Sequence, residues 1–339
     1  MRIGLVGTGA IAWKHAQAYR NIGFTLAVCT NRNVKTGQRF AGQTGAAFVN
    51  TFEEVCSDPS LDVVDVCTFP EFRLPVVQAC ARYGKHVQVQ KPIAVDLPTA
   101  REMIETARAG GIRLGVVSQH RFDDASLFLS DAIRAGRLGR LVQCDCYVKW
   151  YRSADYYSRP VKGTWKTEGG GALINQAIHQ VDLMRWFAGS ITEVFAYWQL
   201  GALHKIESED VVTSVVRYAT GATGVIQAST AFWPGYPERI ELHGSKGSAT
   251  ISGDQLIRWD VADDTGPPPP LRDAVQSGAS DPMAISLLPF ERQFLDFAAA
   301  IREGRDPLVS GEEGYRTLAV VDAIYRSCRS QQQIPIGVR

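Results

Sequence analysis

Residues 2–22 read RIGLVGTGAIAWKHAQAYRNI: a short apolar run, a turn carrying two glycines, then apolar positions at helical spacing. A strand that passes into a helix through G-x-G-x-x-A is the context in which this fingerprint binds a dinucleotide. Gly7 permits the tight turn, Gly9 lets a pyrophosphate reach the backbone, and the small Ala12 allows the helix to pack close to the strand. The phosphates would lie at the helix N-terminus, over Ala10 and Ile11. Alone, the motif could be no more than a tight strand-to-helix turn, so the flanking sequence decides.

Outward from it, FTLAVC (24–29), VVDVC (63–67), HVQVQ (86–90) and RLGVV (113–117) alternate with helical patterns such as RLPVVQACARYG and DLPTAREMIETARAGG. That alternation predicts βαβ units in a doubly wound parallel sheet, an α/β Rossmann-type domain over residues 1–120. Beyond it, LVQCDCYVKWY (141–151), TEVFAYWQL (192–200), DVVTSVVRYA (210–219), ATGVIQASTAF (222–232), RIELHGSKGSATIS (239–252) and QLIRWDV (255–261) follow one another through short turns. Residues 121–339 are therefore expected to form an α+β domain with a large, mostly antiparallel open sheet and a helix beginning near Ala172 packed on one face. The segment 263–282, with four consecutive prolines, reads as a mobile loop. Two helices close the chain, the last over about 310–330, and that one can pack back on the first domain.

A length of 339 residues suits two cores. Lys plus Arg number 36 against 35 Asp plus Glu, a net charge of +1 with no sustained basic run, which argues against a nucleic-acid partner. No run approaches the roughly 20 apolar residues of a membrane span. The seven cysteines form no C-x-x-C pair and several sit in apolar runs, which fits reduced cytoplasm. The chain opens directly on a strand, leaving no room for a signal peptide. The six histidines show no ligand spacing, so no metal is expected.

At the end of the second strand stands CTNRN. An NAD site normally carries Asp or Glu there to accept from the ribose; here Thr30, Asn31 and Arg32 occupy the place. The missing carboxylate and the added guanidinium lean the cofactor, NAD(P), toward NADP. The alternative is that Arg32 is a solvated loop charge while Thr30 or Asn31 holds the ribose of NAD. Ligands of such sheets bind outside the carboxyl ends of the strands, which adds Thr68, Gln90, Lys91, Pro92 and Gln119 to the candidate cofactor crevice. A cis bond before Pro92 would aim Lys91 at the nicotinamide.

The stretch GGGALINQAIHQVD (169–182) places Asn175, His179 and Asp182 within about 60° around one helix, beside an apolar stripe of Ile174, Ile178 and Val181. Three polar side chains on one edge suggest a cleft, and Gly169–Gly171 let backbone approach closely there.

Together GTGAIA, GKHVQVQKP, QHRFDD (119–124), GGGALINQAIHQVDLMRWF and the closing GEEGYRTLAVVDAIYRS resemble the Gfo/Idh/MocA family of sugar and polyol oxidoreductases over the whole chain. The resemblance implies nicotinamide-dependent hydride transfer at a hydroxyl-bearing carbon of a sugar, sugar acid or polyol. It also implies a homodimer or homotetramer built through the C-terminal sheet. By motif, Lys91 corresponds to the lysine of the family's Glu-Lys-Pro, and His179 to the histidine of its Asp-x-x-x-His helix. The chain departs twice: Gln90 stands where Glu is usual, and Asn175 where many inositol-type members carry Asp. Asn175 can orient a hydroxyl but cannot take a proton.

Catalysis is assigned to Lys91, His179, Asn175 and Asp182. His179 is the proton acceptor, since imidazole titrates near neutrality, and Lys91 stabilises the developing negative charge on the same oxygen. Asp182 either orients His179 or pairs with Arg185. Arg121, Trp165 and Lys166 are candidate substrate contacts; the alternatives are a cap on the domain junction for Arg121 and simple loop burial for the other two. Two rival functions remain: a glycosidase that retains its nicotinamide, and a non-catalytic NAD(P)-binding regulator.

Overall fold

The β-branched runs of the first 120 residues form six parallel strands: β1 (Arg2–Val6), β2 (Thr25–Thr30), β3 (Ala47–Phe48), β4 (Val63–Val66), β5 (His86–Val89) and β6 (Leu114–Val116). This computed structural model describes residues 1–267, 269, 277 and 286–337, so most of the segment expected as a mobile loop lies outside the described residues. Two compact units emerge: Met1–Gln119 with Leu287–Arg316, and His120–Ser286 with Thr317–Arg339.

In the first unit the strand order is β3-β2-β1-β4-β5-β6. All four residues of β4 are buried, as both-face coverage by helices demands of a central parallel strand. The helices are α1 (Ala10–Asn21), α2 (Val34–Thr44), α3 (Phe52–Ser57), α4 (Arg73–Arg82) and α5 (Leu97–Ala109). Their starts are written locally: Asn33 and Asp96 accept from the N3 backbone of α2 and α5, and Thr51 with Glu54 closes a capping box on α3. The chain direction across the sheet reverses between β1 and β4, which opens a crevice at their carboxyl ends, where Gly7 and Thr68 stand.

The second unit contains α6 (Asp124–Arg134), β7 (Leu141–Lys149), α7 (Trp165–Glu168), α8 (Ile178–Ala188), β8 (Ile191–Leu200), β9 (Glu209–Tyr218), β10 (Thr223–Ser229), β11 (Arg239–Gly244), β12 (Gly247–Ser252) and β13 (Gln255–Val261). Later in the chain come α9 (Leu288–Glu303), which belongs to the first unit, α10 (Gly311–Ser330), divided between the units after Arg316, and β14 (Ile334–Pro335) of the second. The sheet order is β13-β12-β11-β7-β10-β9-β8-β14, antiparallel except where β10 runs parallel to β7. Along β9, Val212, Ser214, Val216 and Tyr218 are buried while Thr213, Val215 and Arg217 are exposed, so one face carries the core and the other is open. Helix α8 packs on β7 and β11.

Residues 239–252 are a hairpin of two strands, with Ser245 and Lys246 at the turn. One local detail differs from the sequence expectation: the helix from Ala172 begins with a π-turn, Leu173–Ala177, before continuing as α8. Isolated π-turns concentrate at functional sites.

Candidate active site

In the first unit the glycine turn has the shape its sequence demands. Gly7 has φ +94° and donates its N–H to the Thr30 carbonyl at 2.9 Å, and a side chain there would press on Cys67 and Thr68. Gly9 differs: its φ of −72° suits any residue, and a Cβ would meet no protein atom within 4 Å. Packing does not call for glycine at that position; a group seated over the turn does. The first turn of α1 carries no acidic residue, and the hydroxyl oxygens of Thr8 and Thr68 are buried without a hydrogen-bond partner among the described residues. A helix N-terminus, a bare backbone and unsatisfied hydroxyls fit the phosphates of a dinucleotide.

At the next strand end, the Asn31 side chain braces this turn, accepting from Thr8 N–H at 3.1 Å and donating to the Asn33 carbonyl at 2.9 Å. Thr30 is buried. Arg32 is exposed, its guanidinium 5.3 Å from the Phe72 ring centre.

The corner after β5 isolates one side chain. From Val87 to Ala94 every residue is buried except Lys91, and the Lys91–Pro92 bond is cis. Arg73, fully enclosed, pins this corner by donating to the carbonyls of Thr68, Gln90 and Pro92. Burial pulls its pKa down to about 9, against the opposing pull of Cys67 and Asp65. The Gln90 side chain turns into the protein and is 6% exposed, its amide bonded to His15 and to the Lys91 N–H. Gln119 is also buried.

In the second unit the three glycines serve packing rather than an open approach. Gly169 is the left-handed cap of α7; a side chain on Gly170 would overlap the Tyr325 hydroxyl, and one on Gly171 the Glu209 backbone. The Glu209 carboxylate accepts from Gly171 N–H, Leu173 N–H and the Tyr325 hydroxyl, all at 2.8–2.9 Å, fastening the start of the π-turn to β9. From Glu168 to Arg185 every residue is buried except Asn175 and His179. The Asn175 amide donates to the Gly170 carbonyl at 3.1 Å. The His179 ring meets His120 edge to face at 5.0 Å, and His120 Nδ1 lies 2.7 Å from Asp123 Oδ2. Burial disfavours the His120 imidazolium, but the charge and hydrogen bond of Asp123 outweigh it and leave the pKa above the usual value.

The same helix carries a buried ion pair. Arg121 forks onto Asp182 with two 2.7 Å bonds, Thr317 donates to Asp182 at 2.9 Å, and Arg185 stands 3.9 Å off. Asp182 is 3% and Arg121 1% exposed. This buried ion pair anchors α8 internally, with Arg185 of the next turn beside it. Trp165, half-buried, donates to the Glu207 carbonyl and packs among Trp198, Tyr325 and the Arg329 guanidinium. Lys166 is exposed on α7. Glu209, Arg73 and His120 drew no attention in the sequence, since each takes its meaning from partners distant in the chain or from the loop it faces.

Burial raises the Glu209 pKa from 4.5 to about 7 despite its three donors. The folded state therefore holds this proton more tightly than the unfolded one, and the group's stabilising contribution is full below about pH 4.5 and lost as pH rises through about 7, a difference of about 3 kcal/mol. Glu209→Gln is expected to lower stability uniformly through the lost acceptor and to flatten this limb. Urea midpoints across that pH range check it; a limb of undiminished slope in the variant assigns the titration elsewhere.

Comparison with known proteins agrees with these features. Residues 1–118 match the model of an oxidoreductase family with an NAD-binding Rossmann fold, and residues 127–250 match the GFO/IDH/MocA C-terminal domain. Inositol 2-dehydrogenase of Rhizobium meliloti (strain 1021) is 28% identical over 343 residues, covering 99% of each chain. The 1,5-anhydro-D-fructose reductase of Ensifer adhaerens is 29% identical over 343 residues, covering 99% of this chain and 98% of that one. The crystal structure of the WlbA dehydrogenase from Bordetella pertussis, in complex with NADH and UDP-GlcNAcA, matches with a TM-score of 0.88 at 27% identity, over 100% of this chain and 99% of that one. With both domain models matched in order and relatives aligned end to end, the chain belongs to the Gfo/Idh/MocA oxidoreductase family.

Proposed function

We propose that the protein is a dehydrogenase that uses a nicotinamide cofactor at a hydroxyl-bearing carbon of a sugar, sugar acid or polyol. The observation that carries this is the partial exposure of Asn175 and His179 in a helix start that is otherwise buried. A structural histidine has no need of an opening kept for it. The nicotinamide, when bound, supplies the hydride acceptor or donor. His179 takes the hydroxyl proton, and Lys91 donates to that oxygen as negative charge builds on it. Asn175 orients a hydroxyl of the substrate without itself exchanging a proton. The test is net reduction of NAD or NADP with a panel of inositols, aldoses, uronic acids and nucleotide-linked sugars. Aryl-glycoside cleavage without net cofactor change would instead support the nicotinamide-retaining glycosidase, and tight cofactor binding with neither activity the regulator.

The cofactor preference we assign is NADP(H), supported by an exposed Arg32 at a strand end without a carboxylate. Arg32→Ala is expected to weaken NADP(H) about tenfold or more while changing NAD(H) little, as loss of a charge-assisted phosphate contact would. Equal losses in a titration with both cofactors would reverse the assignment. Gly9→Ala is expected to leave stability within about 0.5 kcal/mol, because the added methyl meets nothing, yet to weaken either cofactor about tenfold or more. Calorimetric titration beside thermal melting separates the two effects.

The open sheet face, with Tyr197 and Val215 more than half exposed, supports assembly through the second unit as a dimer or tetramer, which light scattering on the purified chain checks. Seven free cysteines support a cytoplasmic location, to be checked by cell fractionation, and no helix among the described residues is long and apolar enough to cross a membrane.

A further inference from the structure

Behind Lys91 lies a closed polar network whose members come from α1, β4 and the end of β5. Gln90 Nε2 is 2.7 Å from His15 Nε2, while Gln90 Oε1 accepts the Lys91 N–H at 3.3 Å. On its other side His15 Nδ1 is 2.6 Å from Asp65 Oδ2, which also accepts from the Tyr19 hydroxyl at 2.9 Å. His15 and Asp65 are fully buried, and the remaining neighbours of the imidazole are the Cys67 thiol at 3.5 Å and the rings of Phe290 and Phe294. His15, Asp65 and Cys67 form a compact potential ligand set, but the 2.6 Å contact between two of its atoms is a hydrogen bond and leaves no room for an ion between them.

The amide's placement, nitrogen toward His15 and oxygen toward the Lys91 N–H, sets the donors and acceptors along the chain. An amide nitrogen donates, so His15 Nε2 must accept, and the imidazole proton must sit on Nδ1 facing Asp65. Turning the amide over would point its NH2 at the Lys91 N–H, donor against donor. In this arrangement His15 needs only the Nδ1 proton, and the buried guanidinium of Arg73, which grips the Gln90 and Pro92 carbonyls, is near enough for Asp65 to act on its charge. A glutamate at position 90 would add a second carboxylate on His15 Nε2, and the imidazole would have to take a second proton to bond both.

We propose that Gln90 is a positioning residue: its amide ties the Lys91 backbone to the His15–Asp65 pair and, by donating rather than accepting, keeps that imidazole neutral. The effect on catalysis rests on the role given to Lys91 above, but the network itself does not. Residue 90 acts from behind the lysine, through the main chain, and has no need to touch cofactor or substrate.

Two variants separate its functions. Gln90→Glu keeps an acceptor for the Lys91 N–H but reverses the bond to His15; Gln90→Leu removes both bonds. Nitrogen-15 spectra of the full-length protein, with the His15 signals assigned by their loss in His15→Gln, should show a neutral Nδ1–H imidazole in the wild type and an imidazolium in Gln90→Glu. Exchange of the Lys91 amide proton should accelerate roughly tenfold in Gln90→Leu, about the worth of one hydrogen bond, and stay near the wild-type rate in Gln90→Glu. With an accepted substrate, Gln90→Leu should lower kcat with little change in KM, and Gln90→Glu should recover most of the loss. An imidazolium or an Nε2–H tautomer in the wild type overturns the proposal, as does unaltered Lys91 exchange in Gln90→Leu. If Gln90→Leu does not fold, the spectra of the wild type and Gln90→Glu still decide. Expected spectra with no dehydrogenase activity in any protein would sink the functional reading and leave the network standing.

Discussion

Lys91→Ala is expected to lower kcat/KM by roughly 10²–10³, the usual effect of deleting a preorganised donor to a developing oxyanion. The corner that carries Lys91 is held by its backbone: Pro92 on one side, Arg73 on the carbonyls of Gln90 and Pro92, and the Gln90 amide on the lysine N–H. These backbone contacts do not depend on the lysine side chain, so truncation should leave the corner and the glycine turn in place and cofactor affinity nearly intact. The loss should appear in kcat, because the charge it stabilises exists in the transition state and not in the bound hydroxyl. Lys91→Arg is not a conservative rescue here, since a planar fork needs room and angles that a point charge does not. Steady-state kinetics beside a cofactor titration decide the matter: activity within tenfold of wild type removes Lys91 from the chemistry, whereas lost cofactor affinity makes it a binding residue.

How far such roles can be read from sequence depends on whether a residue's partners are local. The strands of the first unit were legible because burial on both faces leaves continuous apolar runs, and the glycine turn because its backbone requirements fall within six residues. Spacing puts Asn175 and His179 on one edge of a uniform α-helix, but LINQA, which forms a π-turn, carries no mark that distinguishes it from one. Asp182 shared that spacing and proved to belong to Arg121, 61 positions earlier, a pairing that only the tertiary fold creates. Past the end of a strand the alternation of faces lapses, and so nothing in HVQVQKP told that Gln90 turns inward while Lys91 turns out. An aromatic side chain in a loop such as Trp165 is ambiguous until its neighbours, here Trp198, Tyr325 and Arg329, are known. The two-residue strands β3 and β14 are too short to impose any pattern.

Replacing His179 by alanine should cost roughly 10²–10⁴ in kcat, the range for loss of a positioned general base. The Asp182–Arg121 pair anchors α8 and Glu209 fastens the π-turn, each without using the His179 ring, so the truncation is not expected to unfold this region. Its diagnostic feature is the pH dependence. The wild-type rate of alcohol oxidation should rise with pH and level off once the base is unprotonated, whereas the variant, left with solvent as acceptor, should keep rising as hydroxide becomes available. Added imidazole should restore part of the rate if it can enter the space vacated. The neighbouring His120 is the natural alternative base, since its ring lies against His179, but its Nδ1 is engaged by Asp123, which holds its pKa above the usual value and makes it a poorer acceptor near neutrality. His120→Asn should accordingly cost far less than His179→Ala, and the reverse ranking would transfer the proton to His120. The Lys91→Ala, His179→Ala double variant should lose less than the product of the single losses, because two groups that serve one transition state are not independent of each other. Strictly multiplicative losses would mean that the lysine and the histidine act in separate steps, and the mechanism would have to be divided between them.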